Sequence, residues 1–146
     1  MVENEHHYMV NVAEVAPRPV SEAEGWKAMD IRFLLPEEVG RPAGVALFRA
    51  IFPPRAQHER HRHPNADEFF YVLRGRPAIG TEDEEHEVEP GTLELVRRGR
   101  VHWLRNLDPS SEVEVLGGYL GVGSLDEAGY EYIGEIGRGQ MREGPV

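Results

Sequence analysis

His61-Arg62-His63-Pro64-Asn65-Ala66-Asp67-Glu68-Phe69-Phe70-Tyr71-Val72-Leu73-Arg74-Gly75 is the stretch on which the reading of this chain turns. It sets two imidazoles two residues apart and a carboxylate five residues after the second. On an extended backbone side chains alternate, so His61 and His63 share a face and form a metal-chelating pair. Pro64 disfavours the helical region for His63, so the pair closes one strand and Glu68 opens the next. On that second strand Glu68, Phe70 and Val72 share one face, with Phe69, Tyr71 and Leu73 on the other. An alternative chelate, His58-x-x-His61 on one helical turn, is opposed by Pro53, Pro54 and Pro64 around it. His58 therefore reads as a loop residue at the mouth of a pocket.

A second stretch, Gly91-Thr-Leu-Glu-Leu-Val-Arg97-Arg-Gly99-Arg-Val-His102-Trp-Leu-Arg-Asn106, adds a third imidazole. The two stretches together resemble the paired sequence motifs of the cupin superfamily. His61, His63, Glu68 and Gly75 fall at the spacings of the first motif, and Gly91, Gly99, His102 and Asn106 at those of the second. Arg55 stands where the first motif opens with glycine, and Arg97 where the second has proline; neither is a ligand position, so both bear on loop shape. Given seven histidines in 146 residues, the other ligands fall at these spacings by chance on the order of once in a few thousand trials per starting histidine. The resemblance covers residues 44 to 120 and leaves the N-terminal forty or so unexplained.

The resemblance implies an all-β fold, a cupin-type jelly-roll β-barrel of two antiparallel sheets with short N- and C-terminal extensions. It implies one divalent transition metal per chain, held by His61, His63, Glu68 and His102. It also implies a homodimer, for which the outward apolar residues Phe69, Tyr71, Leu73 and Trp103 offer either inter-sheet packing or a subunit contact. Independently of any family, short strands at intervals of eight to twelve residues with Gly and Pro turns call for a sandwich or barrel.

A chain of 146 residues is the usual size of one domain, so residues 1–146 are expected to form a single domain with its core over about 44–120. With 26 acidic and 16 basic side chains the formal charge is −10, which argues against nucleic acid as a partner, because phosphate binding needs a clustered positive surface. Arg97, Arg98 and Arg100 read as a solvated turn before His102. There is no cysteine, so any metal is held by nitrogen and oxygen. The N-terminus lacks a basic-then-apolar signal pattern, and no apolar run approaches the ~18 residues of a membrane helix. A soluble cytoplasmic protein without membrane contact is the expectation.

Along the rest of the chain, residues 1–9 read as a flexible arm and Val10–Val15 as a possible edge strand stopped by Pro17 and Pro19. Ser21 and Glu24 have capping-box spacing for one turn that Gly25 ends. Trp26 to Leu35 alternates as a strand with Met29, Ile31, Phe33 and Leu35 on one face. Residues 36–44 read as a loop, and Val45 to Phe52 as a strand apolar on both faces apart from Arg49. Glu82 to Glu85 reads as an acidic hairpin. Ser124 to Glu127 has capping-box spacing for a short helix ended by Gly129, Tyr130 to Ile133 packs over the pocket mouth or a partner, and residues 137–146 have the composition of a disordered tail.

Three imidazoles and a carboxylate suit Fe(II), Mn(II), Ni(II), Cu(II) or Zn(II), and donor type alone does not choose among them. Four protein ligands leave two octahedral positions open for a small-molecule substrate, water or dioxygen. Phe48, Phe70, Val72, Leu104 and Asn106 are the expected pocket residues, and Glu68 is the candidate catalytic base. The leading functional expectation is a dioxygenase acting on a small aromatic or oxygenated substrate. The alternatives are a non-redox lyase, isomerase or polyketide cyclase, and a non-catalytic ligand-binding protein.

Overall fold

The computed structural model describes residues 1–4 and 6–137. Two short strands, β1 (Val2–Asn4) and β2 (His7–Met9), pair as a hairpin. After them come β3 (Trp26–Lys27), β4 (Asp30–Phe33), helix α1 (Glu37–Ala43), β5 (Val45–Phe52), β6 (Gln57–Arg62), β7 (Asp67–Arg74), β8 (Ala78–Thr81) and β9 (Glu84–Glu87). The chain then runs through β10 (Leu93–Val96), β11 (His102–Arg105), β12 (Val113–Leu120), helix α2 (Leu125–Ala128) and β13 (Glu131–Gly134). A five-stranded sheet has the order β10-β7-β12-β5-β4, and a six-stranded sheet the order β13-β6-β11-β8-β9 with β3 added beside β6. The core lies between them, with Phe48, Phe70, Val72 and Val115 from the first sheet meeting Trp26, Ile79 and Leu104 from the second.

This corrects the expectation of an all-β jelly-roll barrel. The fold is mixed, with two α-helices among the strands, and neither sheet closes on itself: one ends at β10 and β4, the other at β13 and β9. Closure would need those edges to pair. The chain instead changes sheet at Ala28–Met29 and then at breaks that contain proline or glycine, among them residues 53–56, 63–66, 75–77, 88–92, 97–101 and 106–112. Proline removes a ladder donor and positive-φ glycine turns the backbone out of the ladder, so the hydrogen bonding stops at these breaks.

The first helix was expected to be a loop. It forms because Pro36 is extended at the cap, Glu37 and Glu38 occupy the first turn, and Gly44 closes it at φ 75°. Pro42 falls near the end of this helix, which stops at Ala43. The segment Val12–Glu14 is a single 3₁₀ turn capped by Asn11, not an edge strand. The strand expected from Trp26 to Leu35 is broken in two by Ala28 at φ 59°. The second helix takes the cap read from sequence, the Ser124 hydroxyl accepting from the Glu127 amide at 3.1 Å. Past Gly137 the expected tail lies outside the described residues.

Along β5 the burial alternates residue by residue, with Ala46, Phe48, Ala50 and Phe52 facing the core. Arg49 lies on the opposite face and binds Glu114 at 3.1 Å. On β7 the same parity turns Glu68, Phe70 and Val72 inward and leaves Tyr71 and Leu73 exposed. Trp103 is almost wholly buried and donates to Glu85, so it is not available as a subunit contact. Among the described residues no helix is long and apolar enough to cross a membrane.

Candidate metal centre

The two sheets bring His61, His63, Glu68 and His102 together: one ligand atom from each lies within 4.8 Å of all the others, and all four are buried. His61 comes from β6 and pairs in register with His102 on β11. Glu68 comes from β7 in the opposite sheet, and His63 sits just past the end of β6, where Pro64 turns the chain across. One loop sets the flank of the site. The Arg97–Arg100 turn is fixed by Asp67, whose carboxylate accepts from the Arg98 amide at 2.7 Å and from Arg97 at 3.2 Å. Gly99, at φ 77°, supplies the left-handed residue, and its amide donates to the His63 carbonyl.

Each imidazole is oriented from behind. The Nδ1 of His61 bonds the Glu59 carbonyl at 2.6 Å, that of His63 the Gly129 carbonyl at 2.7 Å, and that of His102 the Arg100 carbonyl at 3.0 Å. A carbonyl only accepts, so each Nδ1 carries a proton, and each Nε2 is the atom left to face a metal once its own proton is gone. His102 Nε2 lies 2.6 Å from Glu68 Oε1. His63 Nε2 stands 3.5 Å from the same oxygen and has no hydrogen-bond partner. Buried ring nitrogens facing a carboxylate, with one left unpaired, are what a bound cation would satisfy. The donor set of three imidazole nitrogens and one carboxylate oxygen thus fits a divalent transition metal.

The electrostatics follow from burial. Desolvation pushes the His61 imidazole well below its ordinary value, and the neighbouring histidines add to this. Burial also opposes ionisation of Glu68, but His102 and His63 outweigh it and hold the carboxyl well below the usual range. His63 is the converse case, since burial disfavours its charge and Glu68 raises it nonetheless.

The cluster opens on a pocket that is lined mainly by apolar side chains and partly open to solvent. The wall includes Phe48, Phe70 and Leu104, and carries no Arg or Lys. Val72 and Asn106 are not on it. Val72 is fully buried in the core. The Asn106 amide is spent on the carbonyls of Phe52, Pro53 and Ser111, where it ties together the loops below β5 and β11.

Sequence reasoning missed His58, Trp26 and Tyr119 as wall residues. His58 is buried on β6, not in a loop; its ring stacks on His61 at 3.6 Å and on Trp26 at 3.8 Å. Its Nε2 meets the Tyr130 hydroxyl at 3.0 Å, and that hydroxyl donates to the Glu24 carbonyl. The extra residue of a β-bulge lets it share a face with His61: His61 pairs with His102 and His58 with Leu104, three residues against two.

Three imidazoles and a carboxylate, held between two open sheets beside a mainly apolar pocket, form a buried cluster capable of coordinating one divalent metal ion. Residues 48–117 match the cupin domain family. Comparison with curated proteins gives no match. Among solved structures, a predicted oxalate decarboxylase from Thermotoga maritima is similar with a TM-score of 0.69 and 20% identity, over 79% of this chain and 100% of that one. The polyketide cyclase RemF from Streptomyces resistomycificus is similar with a TM-score of 0.64 and 23% identity, over 78% of this chain and 79% of that one. An oxalate oxidase is similar with a TM-score of 0.60 and 20% identity, over 75% of this chain and 56% of that one.

Proposed function

We propose that the protein is a metal-dependent enzyme acting on a small, weakly polar substrate that enters as a singly charged oxygen donor, an enolate or phenolate. The observation that carries this reading is the convergence of four ligands, three of which line a mainly apolar cavity wall without an Arg or Lys. A divalent ion there would supply Lewis acidity at a substrate oxygen and, if redox-active, electrons for dioxygen chemistry. The ion and the Glu68 carboxylate together leave one net positive charge. A monoanion neutralises it. A dianion such as oxalate would leave a buried negative charge with no Arg or Lys on the wall to meet it, at a large desolvation cost. The names of the oxalate-directed structures therefore carry over less readily than the cyclase name.

His61, His63 and His102 would hold the ion through Nε2, with their backbone-bonded Nδ1 atoms fixing the ring planes. Glu68 would complete the set. It is the one carboxylate on the wall, so it is the group placed to take a proton that a hydroxyl substrate gives up. The apolar wall favours a neutral final assembly.

Dioxygenation and non-redox lyase, isomerase or cyclase chemistry both use this arrangement, and metal identity separates them. The test is turnover of a panel of small phenols and 1,3-diketones by protein loaded in turn with iron, manganese, copper or zinc, with and without oxygen. Turnover of panel members confined to a redox-active metal and oxygen assigns the dioxygenase class, and turnover with zinc under nitrogen the non-redox class. Turnover of no compound under any loading would sink the enzymatic reading.

A further inference from the structure

We propose that Tyr119 positions the substrate at this centre, its hydroxyl donating a hydrogen bond to an oxygen of the ligand held between it and the four-residue cluster. The inference rests on the metal-site reading above and adds a residue that neither the sequence motifs nor the ligand set contains.

Tyr119 lies on β12 directly across from Glu68 on β7, so the two side chains leave the sheet on the same, inward face. Its ring packs 4.6 Å from the His63 ring and 5.4 Å from Phe48, on the cavity wall. The residue is 1% exposed, yet among the described residues nothing bonds to its hydroxyl. The hydroxyl oxygen is not among the fully buried atoms left without a partner, so it keeps some open surface on the cavity wall, where a ligand oxygen can meet it.

The other polar groups on the wall are already committed. His61, His102 and Glu68 belong to the cluster, the Trp103 indole donates to Glu85 at 2.6 Å, and His58 bonds Tyr130. Tyr119 is the free O–H donor on the wall among the described residues. A phenol is neutral at ordinary pH and able to give a hydrogen bond. Such a donor selects ligands that carry an acceptor oxygen, and does nothing for ligands that lack one.

The experiment compares wild type and Tyr119→Phe, both loaded with cobalt(II), whose visible spectrum reports ligand entry. Two probes of similar size are titrated: acetohydroxamate, a singly charged oxygen donor, and imidazole, a neutral nitrogen donor. The expected result is a rise of about tenfold in the Kd for acetohydroxamate, the worth of one charge-assisted hydrogen bond, with the Kd for imidazole changed less than about twofold. Equal weakening of both probes would show that Tyr119 only packs, and no change in either would show that its hydroxyl is idle; each result overturns the inference. A wild-type protein that holds cobalt and admits neither probe overturns it as well, while leaving the metal site standing. Failure of the wild type to hold cobalt removes the metal-site reading, and this inference with it.

Discussion

Replacing Glu85 with glutamine is expected to destabilise the fold by about 3 kcal/mol and to loosen the metal centre with it. Glu85, on β9, is wholly buried. Its carboxylate accepts from the Trp103 indole at 2.6 Å and from the Arg105 guanidinium at 2.6 and 2.9 Å. Trp103 and Arg105 lie on β11 immediately after His102, so this one carboxylate pins the strand that carries a metal ligand. Glutamine keeps a single acceptor and turns an NH₂ group toward donors. Breaking a buried pair from one side costs about 3–5 kcal/mol, and Arg105 is 20% exposed, so water takes up part of the loss and the low end applies. For a chain of this size that is a drop of about 6–12 °C in Tm. Urea unfolding of the metal-free proteins gives the stability change, and cobalt titration the effect on the site. A loss below about 1 kcal/mol would refute the reasoning, because the carboxylate would then not be holding β11.

The metal-free protein should lose stability as the pH falls below about 6.5. Burial lowers the pKa of His58 and His61 in the fold, so the unfolded chain binds more protons and each group costs about 1 kcal/mol between about pH 6.5 and 5.5. The raised His63 contributes stability that is full below about 6.5 and lost at higher pH, which offsets little on the acid side; a stability constant or rising from pH 6.5 to 5.5 would contradict this. Arg55 adopts φ 66° where the first cupin motif has glycine, so Arg55→Gly should stabilise by about 0.5–1 kcal/mol by relieving left-handed strain; a destabilised variant in denaturant titrations would show that the arginine side chain outweighs that strain. Asn106→Ala should cost about 3 kcal/mol through three carbonyls left without their buried donor, with little change in metal affinity; a large change in affinity would place Asn106 closer to the chemistry than its bonds suggest.

The ligand set was legible because it depends on short-range spacing. The His61–His63 separation and the Pro64 turn act within a few residues, and Glu68 and His102 follow at fixed offsets. Strand parity was equally readable on β5, where alternation runs unbroken for eight residues, and on β7 as far as Leu73. What failed depended on events that alternation does not record. A bulge in β6 moved His58 onto the face of His61, and Ala28 at positive φ cut one expected strand in two. The short helix α1 was hidden by its own proline and glycines. The open sheets depend on where the chain crosses between layers, and the list of strands alone does not state this. Tyr119 was missed because its importance comes from a cross-strand register with Glu68, fifty-one residues away in sequence.

The central claim is that His61, His63, Glu68 and His102 hold one metal ion. The most direct test is the metal content at equilibrium of the wild type and of His61→Ala, His63→Ala and His102→Ala after dialysis against limiting manganese, iron, cobalt or zinc. One ion per wild-type chain for at least one of these metals, lost from all three variants while their folds persist by circular dichroism, is the predicted result. A wild-type chain that takes up none of them, or variants that keep a full complement, would contradict it.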